Sequence, residues 1–242
     1  MTALTRGTAM SHDLSFFGHS AFRITTADGL RIWIDPWLDN PQSPGEPDSA
    51  DADLVLITHA HGDHLGNCLS LARSPSTEVV AIHEIQQYLL ARGLPNVTGM
   101  NIGGTYSSKG VSMTMVPALH SSSIQEGQDI FYGGEAAGFV IRLKDGFCIY
   151  HAGDTALFGD MALIRELYSP EVVIVPIGGH YVMGPREAAH ACMLLRGKKA
   201  VPMHYGSFPV LTGTVDLFKK ELADLGVEIE VVEMDPGDNI NL

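Results

Sequence analysis

Apolar residues fall into short runs along most of the chain, and the spacing of each run predicts its element. Asp13–Phe17 and Ala21–Thr25 flank Gly18-His19-Ser20 and read as two strands of a hairpin. Leu30–Ile34 is a third strand that ends in Asp35-Pro36. Pro41–Asp53, rich in Pro, Ser, Asp and Gly, reads as a surface loop. Leu54–Thr58 is apolar without alternation, the mark of a strand covered on both faces. Helical periodicity then appears over Asp63–Ala72 and Glu84–Arg92, with a strand at Val79–Ile82 between them. Val111–Pro117, Gly138–Leu143 and Phe147–Tyr150 are strands, Met161–Leu167 a short helix and Val172–Pro176 a buried strand. Pro185–Leu195 is a helix that opens on proline, a favoured first-turn residue. Ala200–Met203 is a strand, Val215–Leu225 a helix and Val227–Val232 a final strand. Strands interleaved with helices, without repeat or linker, predict a layered α/β domain.

Length and composition add bounds to that picture. The chain has 242 residues, 45% of them hydrophobic, enough to bury a full core. We read residues 1–11 as a flexible lead, with Met10 an alternative start to Met1, and 12–242 as one domain. The 26 glycines imply many tight turns. The formal net charge is −13, with 15 Lys and Arg against 28 Asp and Glu. That balance excludes nucleic acid as a default partner, whereas an anionic small molecule can still approach bound cations. Cys68, Cys148 and Cys192 are widely spaced and form no Cys-x-x-Cys, which suits a reducing compartment. No signal-like segment or membrane-length apolar run is present. The expectation is a soluble cytoplasmic protein with no membrane partner. A homo-oligomer is expected only because such assemblies are common.

The histidines change the picture most. There are 11, and several sit where an apolar strand ends. His59 follows Leu54–Thr58, His120 follows Met113–Leu119, and His151 and Asp154 follow Phe147–Tyr150. His180 follows Val172–Ile177 and a Gly-Gly pair, and His204 follows Ala200–Met203. Strand ends are where α/β sheets place ligands. The densest piece is His59-Ala60-His61-Gly62-Asp63-His64. Residues two apart in an extended segment point the same way, so His59 and His61 can grip one ion. Gly62 is read as the sharp turn, after which Asp63 and His64 face a neighbouring position. Asp154 can bridge two ions, and His120 and His204 can complete one each. Imidazole and carboxylate suit zinc, and manganese, iron, nickel or cobalt can use the same donors. His12, His83 and His190 lack this placement and are assigned surface or helix roles.

His59-Ala60-His61-Gly62-Asp63-His64 after a strand resembles the signature of the metallo-β-lactamase superfamily. His120, Gly153-Asp154-Thr155 and His204 follow in that family's order. Gly18-His19-Ser20, Asn101-Ile102-Gly103-Gly104, Pro117-Ala118-Leu119-His120-Ser121-Ser122, His151-Ala152-Gly153-Asp154-Thr155, Gly178-Gly179-His180 and Met203-His204-Tyr205-Gly206 resemble its small stand-alone branch of metal-dependent hydrolases, related to ascorbate phosphate lactonase. The likeness runs over about residues 13–240. It implies a four-layer αβ/βα sandwich. It also implies one metal ion held by His59, His61 and His120, a second by Asp63, His64 and His204, and Asp154 between them. Some relatives are redox di-iron proteins with Glu where this chain has His61, a difference that favours hydrolysis.

Two ions about 3.5–4 Å apart can share a hydroxide that attacks a carbonyl carbon or a phosphorus. Asp63 is the candidate to hold that nucleophile or accept its proton. Asp35 either orients the His59–His64 loop or is a turn carboxylate before Pro36. The resemblance puts the His19 turn near the site, in a site role or a purely local one. His180 either donates a proton to the leaving group or binds a substrate anion, or else makes a structural hydrogen bond. His151 is a candidate support for the Asp154 loop. The favoured function is hydrolysis of a small ester, lactone or phosphodiester. A nuclease of the same fold would be expected to carry a basic arm or an extra domain, and a metal-binding scaffold need not keep an open site. Specificity is expected in Pro41–Asp53, Ser121–Gly134 and Gly178–Pro185. The first two are read as small and polar, and they do not name a ligand.

Overall fold

The structure, a computed structural model, describes residues 11–45 and 51–242. Residues 1–10 of the predicted lead, Met10 among them, and part of the Pro41–Asp53 loop lie outside the described residues. The first half of the chain gives β1 (Asp13–Phe16), β2 (Phe22–Thr25), β3 (Arg31–Ile34) and β4 (Leu54–Leu56). Next come α1 (Gly62–Leu65), α2 (Cys68–Leu71), β5 (Glu78–Ile82), α3 (His83–Ala91) and β6 (Val97–Met100). The chain continues with β7 (Thr105–Ser108), β8 (Val111–Pro117), β9 (Ser123–Glu126), β10 (Asp129–Tyr132), β11 (Ala137–Arg142) and β12 (Cys148–His151). It ends with α4 (Met161–Tyr168), β13 (Val172–Pro176), α5 (Pro185–Leu195), β14 (Lys199–Met203), α6 (Val215–Asp224), β15 (Glu230–Val231) and β16 (Asn239–Asn241).

These strands form two seven-stranded sheets, in the orders β16-β1-β2-β3-β4-β5-β6 and β15-β14-β13-β12-β11-β8-β7, with β9 and β10 apart as a hairpin. Period-two alternation sorts the second sheet's side chains into two layers. Ile149, Val172 and Ile174 pack with Leu14, Trp33 and Leu56 of the first sheet. Cys148, Tyr150, Val173 and Val175 turn the other way, onto Met161, Ala188, Cys192 and Phe218 of α4, α5 and α6. Cys68, Ile85 and Leu89 of α2 and α3 belong to the same apolar cluster as the strands of the first sheet. The result is helix, sheet, sheet, helix: the four-layer αβ/βα sandwich.

The strands that matter for the site run parallel: β3, β4, β5 and β6 in one sheet, and β12, β13, β14 and β15 in the other. Parallel neighbours end on the same side, so the residues that follow them meet at one edge.

Several elements differ from the pattern. The helix expected over Asp63–Ala72 is two single turns, broken at Gly66 (φ +43°). The cause is contact. A Cβ on Gly66 would lie 2.5 Å from Trp37 Cα and 2.7 Å from the Pro36 carbonyl oxygen. Asn67 N–H donates to that same carbonyl at 2.8 Å, so the break clamps the helix pair against the Asp35 loop. Gly62, read as the sharp turn, instead opens α1 with no left-handed φ and open space around its Cα. Strands β6, β7, β9, β10 and β16 were not foreseen, because they are four residues long or shorter and carry few apolar residues in a row. The last predicted strand shrinks to Glu230–Val231. His12, assigned to the surface, is buried. It accepts from Ala27 N–H at 3.2 Å and pairs with Asp145 at 2.8 Å. Among the described residues no helix is long and apolar enough to cross a membrane.

Glu78 on β5 joins the two sheets at one end. Its carboxylate accepts from Thr98 on β6 (2.8 Å), and from Tyr106 (2.7 Å) and Ser108 (2.6 Å) on β7. Burial alone would raise its pKa, but these three hydroxyl donors outweigh it and hold the pKa below the ordinary value.

Two predictions follow from these contacts. Gly66→Ala should destabilise the protein by about 3 kcal/mol in chemical denaturation, from a forced left-handed side chain and a backbone clash. A change within experimental error would show that the clamp relaxes freely. The carboxylate of Glu78 stabilises the fold above the unfolded glutamate pKa of about 4.3, and that contribution disappears as pH falls through the lower folded value. Glu78→Gln should therefore cost about 1–3 kcal/mol at neutral pH and flatten the acid limb of stability against pH. An unchanged acid limb would remove Glu78 from the account.

Candidate metal centre

Six strand ends and turns converge at one edge of the sandwich. The β1–β2 turn supplies His19, the end of β3 supplies Asp35, and the segment after β4 supplies His59, His61, Asp63 and His64. The segments after β8, β12 and β14 supply His120, Asp154 and His204. Three donor groups result, each with one ligand atom per residue and all such atoms within 4.8 Å of one another. They are His59, His61 and His120; His19, Asp63, His64 and His204; and His59, His64 and Asp154. Asp154 lies between the first two. Its Oδ2 is 2.9 Å from His204 Nε2, 3.3 Å from His64 Nε2 and 3.7 Å from His120 Nε2.

The chain's own chemistry fits a cation here. His59 Nε2 and His61 Nδ1 face each other at 3.0 Å. His64 Nε2 and Asp154 Oδ1 are buried without hydrogen-bond partners. Burial lowers the pKa of His59, His61 and His120, which favours the neutral form that ligates metal. For Asp154 burial acts upward, but His64 and His204 outweigh it and keep the carboxyl well below its usual range. Asp63 is likewise held low, by His19 and His64 against burial. Burial would lower His64, yet Asp154 and Asp35 hold its pKa well above the ordinary value. Two carboxylates flanking one ring are also the setting that favours a metal cation at Nε2.

Asp35 sets the orientation of this cluster. It is fully buried, and its backbone is left-handed (φ +46°). Oδ1 accepts from Thr58 N–H (2.8 Å), while Oδ2 accepts from the Thr58 hydroxyl (2.6 Å) and from His64 Nδ1–H (2.8 Å). With its proton given to Asp35, Thr58 Oγ1 can only accept from His59 Nδ1–H, 3.1 Å away. One carboxylate thus fixes the tautomers of two imidazoles and turns both Nε2 lone pairs toward the donor groups. Thr58 had no sequence signal beyond its place before His59.

The other candidates fall differently. His151 is buried, its Nδ1 accepts from Gly153 N–H at 3.2 Å, and burial holds its pKa down to about 4. It sits beneath the Asp154 loop, outside the three donor groups. His180 is exposed, with its ring 4.4 Å from that of Tyr181. A cleft of about 310 Å³ over the donors is lined by His61, Asp63, His120, Ser121, Asp154, Tyr181 and His204. Tyr181, not His180, is the residue this loop brings to the cleft. The Ser121–Gly134 segment is less polar than read: it carries the β9–β10 hairpin, with Ile130, Phe131 and Tyr132 exposed. Ser122 fastens the hairpin to the histidine loop, accepting from Ala60 N–H at 3.1 Å and donating to Gly133 O at 3.2 Å. Thr155 Oγ1 accepts from Leu119 N–H at 2.9 Å and so couples the His120 and Asp154 loops.

Asp35→Asn keeps the shape but presents a donor where Thr58 and His64 also donate. Metal affinity, measured by competition with a chelator, should fall about 10–100-fold. Unchanged affinity would mean that the imidazoles need no such support.

Residues 13–204 match the family described as the beta-lactamase superfamily domain. A UPF0173 metal-dependent hydrolase of Methanopyrus kandleri is 45% identical over 227 residues, 93% of this chain and 98% of the relative. One of Rubrobacter xylanophilus is 47% identical over 230 residues, 94% and 95% of the two chains. Among solved structures, Igni18, a metallo hydrolase from Ignicoccus hospitalis, is 39% identical with a TM-score of 0.85, covering 96% of this chain and 98% of its own. With that identity carried along nearly the whole length of these relatives, the chain belongs to the UPF0173 family of metal-dependent hydrolases within the metallo-β-lactamase superfamily.

Proposed function

We propose that this hydrolase works with two divalent metal ions on a small ester, lactone or phosphodiester. His59, His61 and His120 would hold one ion and Asp63, His64 and His204 the other, with Asp154 shared. The observation that carries the reading is the place of Asp154 Oδ2, within 3.7 Å of His120 Nε2 on one side and of His64 and His204 Nε2 on the other. Imidazole and carboxylate donors make zinc the first candidate, with manganese, iron, nickel and cobalt able to use the same set.

Bound there, such ions supply an ionised water at neutral pH and a Lewis acid for the scissile oxygen. The chain's residues do the rest. Asp63, on the cleft wall, is the candidate to hold the attacking water in line or accept its proton. Asp35 and Thr58 hold the imidazoles so that no donor must reorient during turnover. Tyr181 and Ser121 present hydroxyls on the same wall, where a substrate oxygen can be met. The cleft of about 310 Å³ is at the small end of ligand sites, which suits a small molecule. Among the described residues no Lys or Arg lines it, so its described wall offers no partner for a nucleic-acid backbone. Cys68, Cys148 and Cys192 are buried free thiols, which supports a reducing, cytoplasmic setting.

Elemental analysis of protein purified without chelator or metal resin should find about two equivalents of transition metal per chain. His120→Ala should lower the value toward one. Hydrolysis in a panel of lactones, aryl esters and phosphodiesters should vanish with chelation and return with zinc or manganese. No uptake of either metal by the stripped protein would end the metal reading, and one equivalent would leave Asp154 no bridging role.

A further inference from the structure

The β1–β2 turn was expected only near the site, yet it places a fourth donor inside one of the groups. His19 is fully buried, with its ring centroid 3.9 Å from that of His204 and 5.7 Å from that of His64. Its Nε2 is 3.2 Å from Asp63 Oδ2, and its Nδ1 is 2.6 Å from Ser207 Oγ. The backbone holds the ring there. His19 N–H donates to Gln42 Oε1 at 3.1 Å, and the His19 carbonyl accepts from His204 N–H at 2.8 Å. Both partners of that last bond carry positive φ, +54° at His19 and +55° at His204. Left-handed backbone at two non-glycine residues costs on the order of 1–3 kcal/mol each and persists where the surroundings impose it. A turn with only a local role has no need of that strain, nor of a buried imidazole at its tip.

Two proton arrangements suit these distances. In one, Ser207 donates to Nδ1 and Nε2–H donates to Asp63. In the other, Ser207 accepts from Nδ1–H. Nε2 then presents a bare lone pair to an ionised carboxylate, a contact that is favourable only with a cation between them. His64 Nε2, close by and without a hydrogen-bond partner, faces the same space. His19, Asp63, His64 and His204 together supply three imidazoles and one carboxylate within 4.8 Å. With the shared Asp154 that makes five protein donors for one borderline dication, more than the three that leave a tetrahedral site open.

We propose that His19, through Nε2, is a further protein ligand of the ion held by Asp63, His64 and His204, beside the shared Asp154. The assignment rests on the two-metal reading and makes its two positions unequal. The His19 position gains a donor that the other lacks, and two of its imidazoles, His19 and His64, are fully buried, while its Asp63 and His204 line the cleft. The other position has three imidazoles, two of them, His61 and His120, on the same cleft wall. Ser207 is a positioning residue that holds the Nδ1 proton and so frees Nε2.

Cobalt(II)-loaded protein with 15N-labelled histidine tests this. Imidazoles bound to cobalt show large hyperfine shifts, whereas a ring one hydrogen bond removed does not. His19→Asn should remove one shifted imidazole and weaken one cobalt equivalent by more than the 10–100-fold loss of an orienting group. Asparagine tolerates left-handed backbone, which preserves the turn. Ser207→Ala, which leaves the ring in place, should move the same resonance without deleting it. A full set of shifted resonances in His19→Asn, with both equivalents bound as before, would overturn the assignment and leave His19 as a hydrogen-bond donor to Asp63. Uptake of a single equivalent by the unsubstituted protein would sink the two-metal reading. His19 would then be a ligand only if its substitution still deleted a resonance.

Discussion

A buried carboxylate with three hydrogens aimed at it is the constraint on which the site depends. Asp35 has no contact with water, and a charge in that position is costly unless it is met in full. The Thr58 amide, the Thr58 hydroxyl and the His64 ring meet it, and through Thr58 the demand reaches His59. The left-handed backbone at Asp35 adds strain of about 1–3 kcal/mol. That strain is held because Asp35 N–H remains bonded to Leu56 O at the end of β4, and because the Gly66 break presses on Pro36 and Trp37 from the other side. Neither sheet nor helix could shift without releasing the carboxylate and, with it, the orientation of two ligands.

The sandwich serves that constraint through strand direction. β4, β13 and β14 are parallel to both neighbours and β12 to β13, and all four are buried along most of their length, so they are stiff and end at one edge. Side chains that follow them are positioned by the core rather than by their own loops. The electrostatics follow from the same burial. Imidazoles set among other imidazoles stay neutral, carboxylates set among imidazoles stay ionised, and His64, set between two carboxylates, takes the opposite sense from its neighbours.

Much of this was legible in the sequence, and the reasons are specific. Runs such as Leu54–Ile57 and Val172–Pro176 are continuous and apolar, so their strands could be read without a structure. His59-Ala60-His61-Gly62-Asp63-His64 is dense enough to name a metal site. What escaped was set by contacts between distant segments. The break at Gly66 comes from Pro36 and Trp37, thirty residues back in sequence, and no local periodicity records it. β9 and β10 pair only with each other, so their register needs no apolar face, and Ile130, Phe131 and Tyr132 were passed over as loop. Thr58 and Ser207 are hydroxyls with no motif of their own, and their importance lies in what stands 3.1 Å or less away. His180 and Tyr181 show the limit of strand-end reasoning. The turn after β13 was the right place, but which neighbour faces the cleft depends on a positive φ at His180 (+60°) that residue type alone does not reveal.

The placement of β16 carries a consequence for how the molecule is made. β16 is separated from β6, the last of its sheet-mates in sequence, by the whole second sheet, yet it completes the first sheet beside β1. During synthesis the first sheet therefore waits with an open edge until nearly all the remaining chain has left the ribosome. The donor cluster waits too, because His204 belongs to the last third of the chain while His19 belongs to its first tenth. Such long-range closure slows folding and leaves β1 available to other chains in the interval. The edge of β1 is thus open to mispairing while the first sheet is six-sevenths built, and the short strand that covers it is the last of that sheet to arrive.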